Sequence, residues 1–155
     1  MSDPARPTLD DMLCFATYAA SLAFGRIYRP LLDGLGLTYP QFLVMLALWS
    51  EDGVPIGQLG ERLSLETNTL TPMLKRLQGM GFLDRVRDTA DERRVIVTLT
   101  EKGRAVQIDA GEITRCVAAA SGLSEAQIVH LRHEMRELHR RLDAHASGKA
   151  GPGPA

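Results

Sequence analysis

From Met12 to Gly25 the chain carries no charged residue, and the stretch "LDDMLCFATYAASLAFGRIY" (9–28) is apolar or small around most of a helical circumference. A surface helix normally hides one apolar stripe and shows water a polar face. A helix apolar on more than one face needs cover from more than one side, and in a chain of 155 residues a second subunit is the obvious source. The charge-free run is too short to span a bilayer, and no basic segment ahead of it suggests a signal peptide. The chain therefore reads as a cytoplasmic homodimer with no membrane partner. Its first helix has Thr8 as cap and Asp10 and Asp11 in the first turn, and "DGLGL" (33–37) ends it after about Leu32.

The order of the remaining elements narrows the fold. Thr38 and Gln41 have capping-box spacing, with Pro40 in the first turn, and "QFLVMLALWS" makes that helix apolar throughout and hence buried. "EDGV" (51–54) reads as a turn and "PIGQLGERL" (55–63) as a short helix. The next helix runs from about Thr67 to Met80, with Pro72 in its first turns and Gly79 and Gly81 at its end. "LDRVRD" and the β-branched "RRVIVTLT" form a β pair around the turn "TADE" (89–92). One helix follows from Glu101 to about Ala120, and Ser124 with Gln127 caps a last one reaching about His145.

The result is mainly α with a small β-ribbon. It is a winged helix-turn-helix over 38–104, flanked by a dimerisation and sensor helix (9–37) and C-terminal dimerisation helices (105–146). Residues 1–8 read as a disordered start and 147–155 as a flexible tail.

Formal net charge is only −1, but it is unevenly spread. Residues 1–61 carry three Lys/Arg against seven Asp/Glu, whereas residues 62–104 carry nine against six. This basic island falls on the helix-turn-helix and ribbon, which points to double-stranded DNA. Thr67, Asn68, Thr69 and Thr71 at the head of the second helix suit base edges in a major groove. Lys75 and Arg76 lie further along, within reach of phosphates. Arg93 and Arg94 at the ribbon tip suit the minor groove, with Asp91 available to hold an arginine in a bidentate pair. The bland alternative is an ordinary solvated surface. Since one copy offers little positive charge, two copies on one operator are expected.

Two cysteines 102 residues apart, with no Cys-x-x-Cys, make no disulfide scaffold. Cys14 is then either a small core residue or a residue kept for its sulfur. The histidines at 130, 133, 139 and 145 belong to a charged helix face: Glu137 stands where a zinc His-Glu-x-x-His motif needs its second histidine. No metal or other cofactor is implied. No Ser/His/Asp or paired-carboxylate arrangement points to an enzyme.

"LGLTYPQFLVMLALW", "IGQLGERLSLETNTLTPMLKRLQGMGFLDR" and "DERRVIVTLTEKGR" resemble the MarR family of dimeric winged-helix repressors, and with "LCFATYAASLAFGRIYRPLL" its organic hydroperoxide resistance branch, over residues 9–142. The head of the second helix, Glu66-Thr67-Asn68, departs from the commoner Asp-Ser-Gly or Asp-Ser-Ala. The resemblance implies that Cys14 is a peroxide-sensing thiol and that Tyr28 and Tyr39 hydrogen-bond its sulfur from the other subunit. It also implies that Cys116 is the resolving cysteine, an organic hydroperoxide the inducer, and a small cellular thiol an alternative partner for the oxidised sulfur.

Geometry agrees with the shared site. Tyr28 follows Cys14 by fourteen residues, about 21 Å along a helix at 1.5 Å per residue, so it cannot reach its own cysteine. In an antiparallel helix pair it reaches the partner's. With the helix starting near Leu9, Cys14 lies past the first turn, where the macrodipole has faded, and the phenols are left to favour a reactive sulfur. Two other readings stand beside this one. The first is a repressor of the same family answering to a small aromatic ligand, with Cys14 incidental. The second is a thiol peroxidase, which leaves the basic ribbon unexplained.

Overall fold

Thr38 opens the helix around which the chain is organised. Its hydroxyl accepts the Gln41 amide (3.4 Å) while the Gln41 side chain accepts the Thr38 amide (3.0 Å), the reciprocal capping box expected from the spacing. In the computed structural model, which describes residues 6–148, the elements are α1 (Leu13–Asp33), α2 (Tyr39–Ser50), β1 (Val54–Pro55), α3 (Ile56–Leu63), α4 (Thr67–Gly79), β2 (Leu83–Arg87), β3 (Val95–Leu99), α5 (Glu101–Ala105), α6 (Gln107–Ala120) and α7 (Glu125–Ala146). The expected disordered start and flexible tail fall mostly outside the described residues.

The chain divides after Val117 into two units. In the first, α2 buries Gln41, Phe42, Val44, Met45 and Leu48. Leu59 of α3, Leu70, Leu74 and Leu77 of α4, and Val97 and Leu99 of β3 close around it, joined by Leu32 of α1 and by Ala110 and Ile113 of α6. The apolar spacing of α4 thus turns one stripe into the core and leaves the opposite side to solvent. β2 and β3 pair antiparallel, Leu83 opposite Leu99 and Arg87 opposite Val95.

Three expectations need correction. The first helix does not begin at Leu9. Asp11 accepts from both the amide (2.9 Å) and the hydroxyl (2.7 Å) of Thr8, but this closes only a single 3₁₀ turn, Leu9–Asp11. Met12 is extended and α1 starts at Leu13, so Cys14 sits in the first turn of α1 rather than beyond it. The segment read as turn 51–54 ends in a two-residue strand, since Val54 pairs with Val97 and makes the ribbon a three-stranded sheet of order β1-β3-β2. Finally, the helix expected over 101–120 breaks at Val106 into α5 and α6.

The second unit holds α7, capped by Ser124 and Gln127 as expected. On its surface the Glu137 carboxylate accepts from Arg140 and Arg141, which draws it down to about 2; water and salt screen such a ladder. Among the described residues no group of three or more His, Cys, Asp or Glu is placed to hold a metal, and no helix is long and apolar enough to cross a membrane.

Candidate DNA interface and thiol site

The leading end of α4 is free. Thr67, Asn68 and Thr69 are exposed, and Thr71 is half-buried. The Thr71 hydroxyl donates to the Thr67 carbonyl (2.7 Å), and that of Thr69 to the Asn68 side-chain carbonyl (3.4 Å). Among these four residues Asn68 has the longest polar side chain. Lys75 and Arg76 are exposed one to two turns on; Thr67, Thr71 and Lys75, at four-residue spacing, share a face.

The ribbon returns to the same place. Thr67 lines an open cleft of about 690 Å³ together with Arg93, Arg94 and Val95 of the ribbon and Pro55, Ile56 and Gln58 at the head of α3. Reading the sequence did not single out Gln58, nor Glu61, which lines the cleft too. Their three-residue spacing on the polar side of a short helix was the available signal. At the tip, the Asp91 carboxylate accepts the backbone amide of Arg93 (3.1 Å), and the ion pair to an arginine is made by Asp88, 4.0 Å from Arg94. The arginine's partner is therefore Asp88 and not the Asp91 expected from the sequence, since the Asp91 carboxylate is taken up by the backbone of its own turn.

Cys14 and Cys116 are both free and exposed in the single chain, so neither is a core cysteine there. Cys14 lies in a field of uncovered apolar side chains. Leu13, Phe15, Tyr18, Leu22, Phe24 and Ile27 are each 37–60% exposed, although all belong to α1. Burial of α1 is confined to its far end, where Leu32 enters the core and Tyr28 and Leu31 pack against it.

Tyr28 of α1 and Tyr39 of α2 stack with ring centroids 4.5 Å apart, and Tyr28 also meets Phe42 at 5.8 Å. Burial raises both phenols above their ordinary value, and for Tyr28 the neighbouring Tyr39 adds to the effect. Both therefore keep their O–H at neutral pH. Neither hydroxyl is hydrogen-bonded to another described residue, which leaves two adjacent donors unspent. Cys14 and Tyr28 stand near opposite ends of the same helix, as the residue count required.

A helix-turn-helix with its second helix free at the leading end, backed by a three-stranded wing, defines the winged-helix transcription regulators. Known proteins agree. The transcriptional regulator SarA/Rot family matches residues 26–109. The HTH-type transcriptional regulator TtmR of Methylorubrum extorquens is 45% identical over 86% of this chain and 71% of its own. The organic hydroperoxide resistance transcriptional regulator of Bacillus subtilis is 38% identical over 84% and 88%. The solved structure of reduced AbfR bound to DNA, a protein of Staphylococcus epidermidis, is 35% identical, covers 87% of this chain and 92% of that one, and superposes with a TM-score of 0.73. AbfR is also solved in a disulfide form, with a TM-score of 0.59. The chain belongs to the SarA/Rot-type, MarR-like family of winged-helix transcription regulators.

Proposed function

We propose that this regulator is a homodimeric repressor of the cytoplasm that holds operator DNA while Cys14 is reduced and lets go when an organic hydroperoxide oxidises it. The observation that carries this reading is the pairing of an exposed Cys14, in the first turn of an uncovered apolar α1, with two phenol donors, Tyr28 toward the far end of the same helix and Tyr39 stacked on it from α2. An antiparallel α1–α1′ contact hides the apolar surface and brings each Cys14 to the partner's Tyr28 and Tyr39. The apolar rim favours organic hydroperoxides over hydrogen peroxide. AbfR, solved both reduced on DNA and as a disulfide, supports the same pair of states.

The chemistry is a two-electron oxidation. The Cys14 sulfur attacks one peroxide oxygen, the O–O bond breaks, and the alcohol leaves with a proton, giving the sulfenic acid. A second thiol, that of Cys116 from the partner subunit or of a small cellular thiol, attacks that sulfur and releases water, leaving a disulfide. Two half-sites demand a fixed spacing between recognition helices, so a disulfide that pulls the dimerisation helices lowers operator affinity. On the DNA side, Thr67, Asn68, Thr69 and Thr71 read bases, Lys75 and Arg76 hold phosphates, and Arg93 and Arg94, steadied by Asp88 and Asp91, enter the minor groove.

Titrating the operator complex with cumene hydroperoxide tests the proposal. Release should be complete near one peroxide per protomer and reversed by dithiothreitol; continued turnover with a thiol reductant would instead favour a peroxidase. On non-reducing gels, a disulfide-linked dimer that disappears in Cys116→Ser identifies Cys116 as the resolving thiol. An unlinked wild type carrying a mixed disulfide assigns that step to a small thiol. A separate expectation concerns the wing. Arg94→Ala should weaken binding to all sequences and lower the slope of log affinity against log salt by about 0.9 for each phosphate the arginine neutralises, so by about 1.8 for the two copies in a dimer. An unchanged slope would take Arg94 off the DNA.

A further inference from the structure

Thr100–Arg104, at the junction of β3 and α5, is tied by hydrogen bonds to elements far from it in the sequence. The Thr100 hydroxyl donates to the Gly81 carbonyl (2.6 Å) and accepts the Gly103 amide (3.0 Å), and the Thr100 amide donates to the Phe82 carbonyl (3.1 Å). The Lys102 ammonium donates to the Met80 carbonyl (2.7 Å) and lies 4.8 Å from the centre of the Phe82 ring. The Gly103 carbonyl accepts the Trp49 indole N–H (2.8 Å) from α2. Arg104 donates to Asp52 (2.7 Å), whose other oxygen accepts the Leu99 amide of β3 (2.8 Å).

These partners have a pattern. Met80 and Gly81 are the end of the recognition helix α4: Gly81 adopts φ +80°, and the Phe82 amide reaches back to the Leu77 carbonyl (3.0 Å), closing a Schellman motif. A helix leaves its last carbonyls unpaired, and here Lys102 and Thr100 supply donors at this end from about twenty residues on. Leu99 is the root of the wing and Trp49 the end of α2. Immediately beyond the segment comes α6, whose Ala110 and Ile113 enter the same core as Leu70, Leu74 and Leu77 of α4, and which carries Cys116.

We propose that Thr100–Arg104 is a positioning clamp: it ties the trailing end of α4 to β3 and α5, and it carries the displacement of α6 to α4 when the thiols oxidise. The second half rests on the sensor reading above. Packed and hydrogen-bonded groups of this kind are a physical route by which energetic coupling travels between two sites. Lys102 and Thr100 are positioning residues at the trailing end of α4, away from the groove-facing tip, so their removal leaves the DNA-reading residues intact.

The test compares operator affinity before and after stoichiometric oxidation in wild type, Lys102→Met and Thr100→Val, each confirmed as folded by a cooperative melt above the assay temperature. Reduced Lys102→Met should bind within about threefold of wild type, while the ratio of oxidised to reduced Kd should fall about fivefold or more, an ordinary coupling magnitude. Thr100→Val should act in the same direction. Both variants keeping the wild-type ratio would overturn the relay, even if their reduced affinity drops, since that drop alone marks a structural role. Wild type that keeps its operator after oxidation would sink the sensor reading and the relay with it.

Discussion

Gly103→Ala should lower the midpoint of thermal unfolding by about 10 °C, the consequence of losing about 3 kcal/mol in a chain of this size. A Cβ built on Gly103 overlaps the Phe82 carbonyl oxygen and lies 3.0 Å from its carbon. The obstacle is main chain in the middle of a junction, so it cannot swing aside as a side chain can. Moving α5 away costs the Thr100 amide bond to that same Phe82 oxygen, the Trp49 bond to the Gly103 carbonyl, and the Arg104–Asp52 pair. Gly79→Ala is the control, because a Cβ there meets nothing within 4 Å and the residue closes α4. That substitution should be neutral or stabilising by up to about 1 kcal/mol. Circular dichroism melts of the two variants decide the matter. A Gly103→Ala midpoint within about 2 °C of wild type would mean the junction relaxes in a way the close approach forbids.

The junction also explains why some of the fold was legible in the sequence and some was not. Local chemistry marked most boundaries. The Thr38–Gln41 and Ser124–Gln127 boxes opened α2 and α7 where expected, Gly81 ended the recognition helix, and the β-branched run 95–99 became β3. What escaped was set by neighbours distant in sequence, or by how far a local signal extends. The helix break at Val106 has neither glycine nor proline to announce it; α5 is held by Phe82, Met80 and Asp52, all far back along the chain. The pairing of Val54 with Val97 is likewise non-local. At the other end of the chain, Thr8 and Asp11 carried a true capping signal, but a cap says that a turn begins and not that it continues through Met12.

That last miss matters for the site. The residue types proposed for the sensor were recognisable from spacing and resemblance, but the setting of Cys14 was read too far inside α1. At the second position of that helix it stands among the unpaired amides that open a helix, not past the first turn.

Cys14→Ser should bind operator within about twofold of wild type in reducing buffer and show no release by organic hydroperoxide at any concentration that leaves other residues unoxidised. The serine hydroxyl cannot follow the oxidation ladder of a thiol. Tyr28→Phe and Tyr39→Phe should each slow sulfenic acid formation about tenfold, because a hydrogen bond to a charged group is worth roughly 1.5 kcal/mol or more and that energy converts to about a tenfold change in rate. Trapping the sulfenic acid with dimedone under hydroperoxide measures this directly. The arrangement across two subunits has a sharper consequence. A heterodimer of Cys14→Ser with the doubly substituted Tyr28→Phe, Tyr39→Phe chain contains one Cys14, on the protomer that lacks its own phenols. Since about 21 Å of α1 separates Cys14 from Tyr28 of the same chain, phenols lent by the partner should let that thiol react at the wild-type rate. A rate as slow as that of the doubly substituted homodimer would overturn the shared site.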